Sequence, residues 1–530
     1  MSQSIKVGLC QINPILGDFD YNYNKILDSY NEAIKHNCEL VVFPEMVVTG
    51  YPPQDLLLSD KFIDKNLSTL NDFVKHVSKT CILGFVNRKD GKLFNSAAIC
   101  RDGKIVKIYN KILLPTYDVF DEDRYFENGS EIGQFDIDVS GKNLNCVIQI
   151  CEDLWEDDYN RKLSKEIIDL NPDLIVNISS SPYHRNRKNV RKELIANKFA
   201  DANCPFIYCN LVGGQDELIF DGNSLILNSD MNLIKEGKSF EEDLVIADLS
   251  SSPIDEKSEE MNGEIYQALC LGIKDYFRKT GHKKAVIGLS GGIDSALVAC
   301  LAVDALGSEN VYLVSMPSRF SSDHSKADAK ELAANLNANF ETIDIDDLFQ
   351  KYLDTLDHKF KGMETNVAEE NIQSRIRGNI LMAFSNKFGC LVLSTGNKTE
   401  LALGYCTLYG DMSGGLSVIG DLSKTDVYNL SKWKNKNSNN VIPENSITKA
   451  PSAELAENQI DPFDYDNISP IVDKIIYNES FDKDFSDKDG IRKKINQNEF
   501  KRRQAAPILR ISRKAFGIGR RFPIVNHFHE

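Results

Sequence analysis

Apolar and polar positions alternate over residues 5–12 (IKVGLCQI), with enough β-branched side chains to predict a strand. The period then changes, and Tyr23, Ile26, Leu27, Tyr30, Ala33 and Ile34 fall on one helical face. Residues 39–43 (ELVVF) read as a buried strand ending at Pro44-Glu45. After a Pro-rich loop, GYPPQDLL, strands are expected near 81–86 and 96–100. The turn Arg101-Asp102-Gly103-Lys104 joins the latter to a strand at 105–109, a hairpin signal, with Lys111 just beyond. A strand at 146–150 (CVIQI) places Cys151 at its end. Residues 174–178, a helix around 191–199, and strands at 206–210 and 224–227 complete a first α/β unit.

The stretch SSSPIDEKS, 250–258, is polar, contains Pro and lacks periodicity, as a linker should. We therefore expect domains at 1–250 and 261–530, joined by 251–260. Beyond the linker, helices near 261–279, 296–306, 327–336 and 370–388 alternate with strands at 285–289, 311–315, 340–343 and 391–394. That rhythm predicts a Rossmann-like, doubly wound parallel sheet, with ligands at the carboxyl ends of its strands. By composition, 434–440 (KNKNSNN) and the acidic segment 482–489 are expected to be mobile loops.

The chain has 530 residues, long enough for about two to four domains. Its net charge of −16 argues against nucleic acid or a membrane surface as the main partner. Twelve cysteines lie scattered without CxxC pairs, pointing to reduced thiols in a cytoplasm rather than to zinc or disulfides. The N-terminus, MSQSIKVGLCQINP, has no long apolar segment, and no apolar run reaches membrane-spanning length.

Two stretches carry chemistry. In AVIGLSGGIDSALVAC, 285–300, a strand, a glycine turn and a helix start together form an anion site. Asp294, facing phosphates, requires a cation, for which magnesium is the natural choice. No Lys follows the second glycine, so this is not a Walker loop. It resembles the SGGxDS pyrophosphate loop of the ATP pyrophosphatases, which cleave ATP to AMP and pyrophosphate; a plain turn between core strand and helix is the alternative. The second set is Glu45, Lys111 and Cys151, each just past a strand and expected at the same end of a sheet. Together they suit amide hydrolysis: a Cys151 thiolate attacks the carbonyl and Glu45 moves protons. Lys111 stabilises the oxyanion and lowers the thiol pKa. Taken singly, each is an ordinary core or surface residue.

The contexts FPE, NKILLP and CEDLW resemble the nitrilase (carbon–nitrogen hydrolase) superfamily, which implies an αββα sandwich for the first domain. GYPPQDLL, KILLPTYDVFDEDRYF, CEDLWED and VGGQDELIFDGNS narrow the likeness to the glutaminase domain of glutamine-dependent NAD synthetases. MPSRFSSDHSKADA, ENIQSRIRGNILM, STGNKTELALGYCTLYGDMSGG, GDLSKTDVY, APSAELAENQ and KRRQAAP are similar to the synthetase domain of the same two-domain bacterial family. The resemblance implies that Tyr117, Ser181 and Arg187 hold glutamine. Asn186-Arg187 departs from the commoner Gly-Lys, and the neighbouring Arg185 and Lys188 leave the basic contact open. It further implies that Gly288, Leu289, Ser290, Gly291, Gly292, Ile293, Asp294, Ser295, Thr395, Lys424 and Ser452 contact ATP. Asp294 and Glu400 would hold magnesium. Asn371, Arg375, Glu400, Asp411 and Lys501 would face deamido-NAD.

Leu408 stands where ammonia-using single-domain relatives carry Lys, which fits the glutamine-dependent branch. The plainer alternatives are solvated helix surface for Arg375 and Arg377, and a cap or turn for Glu400 and Asp411. The implied reaction converts deamido-NAD, ATP and glutamine to NAD, AMP, pyrophosphate and glutamate, with no tightly bound organic cofactor. An even-numbered homo-oligomer is expected by analogy. Asparagine synthetase-like enzymes are disfavoured because Ser2, not Cys, follows Met1; GMP synthetase-like enzymes are disfavoured because their His-bearing glutaminase motif is missing. A nitrilase-type amidase with a regulatory C-terminal half, or a non-catalytic nucleotide sensor, are the remaining alternatives.

Overall fold

A computed structural model describes residues 5–139, 142–255, 260–457, 459–481 and 488–526. The chain forms two compact units, Met1–Gln215 with Ile219–Glu259, and Asp216–Leu218 with Glu260–Glu530.

The first unit is built on two six-stranded sheets. One has the spatial order Asp243–Asp248, Lys6–Gln11, Leu40–Val42, Thr80–Lys89, Lys92–Arg101, Lys104–Asn110. The other runs Leu233–Glu236, Leu225–Leu227, Phe206–Asn210, Leu174–Ser179, Lys142–Ile150, Gly133–Val139. Strand alternation decides what faces what. Val7, Leu9, Leu40 and Val42 join Ile148, Ile150, Val176 and Ile178 in one core between the sheets. Cys10, Val41 and Phe43 turn the other way, onto Ile26 and Tyr30 of helix Phe19–Lys35 and Leu70 and Phe73 of helix Asp60–Val74. Helices Leu163–Asp169 and Arg187–Phe199 pack Ile167, Ile195 and Phe199 against the second sheet. The layers are αββα. The hairpin at Arg101–Lys104 forms as expected, with Asp102 and Gly103 at φ 49° and 72°.

The second unit carries an all-parallel sheet in the order Asn339–Thr342, Val311–Ser315, Lys284–Gly288, Cys390–Ser394, Leu416–Ser417. The chain enters at the central strand Lys284–Gly288, builds outward to Asn339–Thr342, then crosses to the other side at Cys390–Ser394. That reversal leaves a crevice beyond the strand ends, where the SGGIDS turn lies.

Elements that the sequence pattern does not reveal include helices Asp60–Val74, Leu163–Asp169, Asp346–Phe360 and Tyr465–Tyr477, and strands Gly133–Val139, Leu233–Glu236 and Asp243–Asp248. One expectation is corrected. Helix Lys424–Asn437 continues through most of KNKNSNN, because Lys434 is buried at 2.6 Å from Asp304 and lies over the Tyr266 ring. Asn435 is buried beside it and exchanges two hydrogen bonds with the Ile442 backbone, at 2.7 and 2.8 Å. Of the acidic segment, 482–487 lies outside the described residues, and Lys488–Gln497 is helical. Among the described residues, no helix is long and apolar enough to cross a membrane.

Candidate active sites

Glu45, Lys111 and Cys151 are each placed by the end of a strand, but from both sheets rather than one. Glu45 and Lys111 follow Leu40–Val42 and Lys104–Asn110 of the first sheet; Cys151 follows Lys142–Ile150 of the second. All three are buried, at 0 %, 1 % and 6 % exposure. Glu45 is oriented at both oxygens. Its Oε1 accepts from Lys111 Nζ at 2.8 Å and Asn95 Nδ2 at 2.7 Å, and its Oε2 from the Ser180 amide at 2.7 Å. The turn carrying Glu45 lies so close to Gly84 that a Cβ there would sit 2.2 Å from the Met46 nitrogen. Glycine is obligatory at that contact.

A fourth member of this cluster escaped the sequence reading. Glu122, 5 % exposed, accepts from Lys111 Nζ at 3.0 Å with each oxygen, and from Tyr51 Oη at 2.9 Å. Burial by itself would discharge the Lys111 ammonium, but Glu122 and Glu45 hold its pKa well above the usual lysine range. The expected depression of the thiol is reversed. Burial, then the Glu45 charge, push Cys151 well above the ordinary thiol value, with Lys111 pulling against them. Cys151 therefore rests as a thiol, and to act as a nucleophile it would need a base beside it.

The glutamine-binding candidates converge on this cluster. Arg187 donates to Ser181 Oγ at 3.3 and 3.4 Å, and its guanidinium lies 3.7 Å from the Trp155 ring centroid. Lys188 pairs instead with Glu236 at 2.8 Å. Burial and the neighbouring Arg191 lower the Arg187 pKa to about 10. Asn186 adopts φ 64°, a left-handed conformation that Asn tolerates better than most residues, so it can stand in for glycine. Tyr117 donates to both oxygens of Glu152, at 3.0 and 3.1 Å, and Tyr159 donates to Oε1 at 3.1 Å. Burial raises the Glu152 pKa to about 7.

In the second unit, the SGGIDS turn is self-bonded. Ser290 and Ser295 hydroxyls lie 3.0 Å apart, and the Gly292 amide donates to Ser290 Oγ at 3.2 Å. Gly291, at φ 82°, packs where a Cβ would meet the Ser325 carbonyl oxygen at 2.2 Å. Helix Ile293–Leu306 starts at this turn and directs its positive end there. A cleft of about 300 Å³ opens beside it. It is lined by Gly288, Leu289, Ser290, Gly292, Ile293, Asp294, Ser295, Thr395, Glu400, Asp411, Lys424 and Ser452. Of the expected ATP contacts only Gly291 falls outside this lining.

Lys424 Nζ lies 2.5 Å from Asp294 Oδ2 and 3.3 Å from Glu400 Oε1, and Asn397 Nδ2 donates to Asp294 Oδ1 at 2.8 Å. Glu400 is also the capping residue that the plainer alternative suggested, since its Oε2 accepts from the Asn397 amide at 3.2 Å. Burial, then Asp294, raise the Glu400 pKa to about 8. Asp411 combines two roles as well: it lines the cleft and accepts from the Thr407 amide and the Ser374 hydroxyl.

The remaining deamido-NAD candidates lie elsewhere. Arg375 lines a second groove of about 370 Å³ with Tyr352, Met382 and Tyr409. Asn371 accepts from Thr407 Oγ1 at 2.6 Å, and Lys501 donates to the Gly404 and Cys406 carbonyls, both at 2.8 Å. Those two residues brace the 404–407 segment rather than line either groove. Arg377, read only as possible surface, faces the main cleft. Two positions along a helix turn a side chain by about 200°, so it points away from Arg375.

Comparison with known proteins covers both halves of the chain. The carbon–nitrogen hydrolase family model matches residues 6–257, and the NAD synthase family model matches 265–505. The chain is 40 % identical to a glutamine-dependent NAD(+) synthetase of Thermotoga maritima and 42 % identical to one of Synechocystis sp., each alignment covering 99 % of both chains. A solved glutamine-dependent NAD+ synthetase from Acinetobacter baumannii, in complex with adenosine diphosphate, superimposes with TM-score 0.81 at 37 % identity over 99 % of both chains. A structure of the enzyme from Cytophaga hutchinsonii shares the fold, with TM-score 0.85 at 22 % identity. With likeness of this degree spanning both halves, the chain belongs to the glutamine-dependent NAD(+) synthetase family.

Proposed function

We propose that this protein amidates the carboxylate of deamido-NAD, using ATP as co-substrate and glutamine as nitrogen donor, to give NAD, AMP, pyrophosphate and glutamate. The observation supporting this reading is that one chain holds both a buried Glu45–Lys111–Cys151 cluster and a cleft lined by the SGGIDS turn with Asp294, Glu400 and Lys424. The domains are read as a glutaminase half at 1–250, a connection at 251–260 and a synthetase half at 261–530; the family-model matches support that division.

In the glutaminase half, Cys151 Sγ attacks the carboxamide carbon while Glu45 takes the thiol proton and returns it to the departing ammonia. Lys111, kept charged by Glu45 and Glu122, faces the oxyanion. A water then cleaves the thioester, with Glu45 again as base, releasing glutamate. Arg187 suits glutamine's α-carboxylate, and Glu152 with Tyr117 suits its α-ammonium.

In the synthetase half, a carboxylate is too poor an electrophile to meet ammonia directly. Attack of its oxygen on the α-phosphorus of ATP forms an acyl adenylate and expels pyrophosphate into the SGGIDS turn, where amides and the helix terminus receive it. Ammonia then displaces AMP. Asp294 and Glu400 would hold magnesium, and they fit one: Lys424 already joins the two carboxylates as a cation. Magnesium, when bound, neutralises phosphate charge. Asp411 and Arg377 in the cleft and Arg375 in the second groove are the candidates to face the dinucleotide, with Asn371 and Lys501 supporting the 404–407 segment. The expectations of an even-numbered homo-oligomer and a reducing cytoplasm belong to this reading as well.

The test is a product balance on purified protein given deamido-NAD, ATP, magnesium and glutamine. Equimolar NAD, AMP, pyrophosphate and glutamate are expected. Glutamate without pyrophosphate would instead favour an amidase with a regulatory second half.

A further inference from the structure

Asp153 lies two residues beyond the nucleophile, is fully buried and takes no part in the chemistry above. Its carboxylate accepts four hydrogen bonds. Oδ2 receives the Ile150 amide at 2.9 Å and the Tyr109 hydroxyl at 2.7 Å; Oδ1 receives the Ile112 and Leu113 amides at 3.0 and 2.9 Å. Ile150 precedes Cys151, and Ile112 and Leu113 follow Lys111. One side chain thus joins the nucleophile's strand end on the second sheet to the lysine's strand end on the first.

Cys151 itself has φ 41°, in the left-handed region that a residue with a Cβ adopts only when its surroundings over-determine it. Asp153 fixes the residue before it from within the same Cys151–Leu154 turn. We propose that Asp153 is a positioning residue that sets the distance and angle between the Cys151 thiol and the Lys111 ammonium. This rests on Cys151 being the glutaminase nucleophile. A carboxylate suits the task because it only accepts, and all four partners donate. An amide of the same shape must aim its NH2 group at two amides, or at an amide and a hydroxyl, so one clamp opens.

The experiment compares full-length Asp153→Asn, Tyr109→Phe and Cys151→Ala with the wild type, measuring NAD formation from glutamine and, separately, from an ammonium salt. For Asp153→Asn the glutamine-driven kcat is expected to fall on the order of a hundredfold, with KM for glutamine little changed and the ammonium-driven rate intact. A glutamine-driven kcat within about twofold of wild type, or a loss confined to KM, overturns the proposal. Should Asp153→Asn lose both rates through misfolding, Tyr109→Phe decides, because it removes a single hydrogen bond. A kcat-specific loss then supports the proposal, and an unchanged kcat overturns it. If Cys151→Ala keeps the glutamine-driven rate, the nucleophile assignment fails and takes this proposal with it. A failure of Asp153→Asn while Cys151→Ala is inactive with glutamine concerns Asp153 alone.

Discussion

At the scale of single residues, the hydrolase cluster is a balance of buried charge. In the proposed mechanism Glu45 is the base, and its charge also raises the pKa of the thiol it would deprotonate. The two effects separate in Glu45→Gln. Removing a negative charge beside a thiol favours the thiolate, so Cys151 should ionise at lower pH than in the wild type. Glutamine-driven turnover should nevertheless fall about a hundredfold or more, since no base remains to pass the proton to ammonia. Ultraviolet titration, taken as the difference from Cys151→Ala, checks the first part; thiolate appearing at the same or higher pH would contradict it. Glu45, Lys111 and Cys151 were legible because each sits in a distinctive short context. Glu122 was not, because it stands among Asp121 and Asp123 and nothing in DEDR marks which acid turns inward. Only the fold, bringing residue 122 onto residue 111, distinguishes it.

At the scale of elements, the Glu45 turn depends on the strand beside it. In Gly84→Ala the new methyl would meet the Met46 nitrogen at 2.2 Å and the Glu45 Cα at 2.6 Å, both backbone atoms that cannot rotate away. We expect a loss of about 1–3 kcal/mol in denaturant unfolding together with a fall in glutamine-driven rate. Gly91→Ala is the control: φ is 76° but nothing lies within 4 Å, so about 1 kcal/mol should be lost with activity unchanged. Equal effects of the two changes would contradict the assignment.

Alternation exposed most of the described strands, and helical period exposed the helices Phe19–Lys35, Arg187–Phe199, Met261–Thr280, Ile293–Leu306, Asp323–Asn335 and Val367–Phe388, because burial on one face writes such elements into the chain. Composition failed at KNKNSNN, where Lys434 and Asn435 are polar yet buried. Their partners Asp304 and Ile442 make a helix of what reads as a loop. Helix Asp60–Val74 carries its signals, an N-cap at Ser59 and the buried face Ile63, Leu70 and Phe73, but the Pro-rich loop just before it masks them.

For the whole molecule, the proposed function gives ammonia release to one unit and its consumption to the other, so the two chemistries are separable. The cleft residues Asp294, Glu400 and Lys424 were reachable from the glycine loop and the family resemblance. The different faces of Arg375 and Arg377 needed the packed helix. The most direct test gives wild type and Cys151→Ala deamido-NAD and ATP, with glutamine in one reaction and an ammonium salt in the other. Cys151→Ala is expected to lose NAD formation from glutamine and to keep the wild-type rate from ammonium. Retention of the glutamine-driven rate, or loss of both rates in a folded protein, would contradict the proposed function.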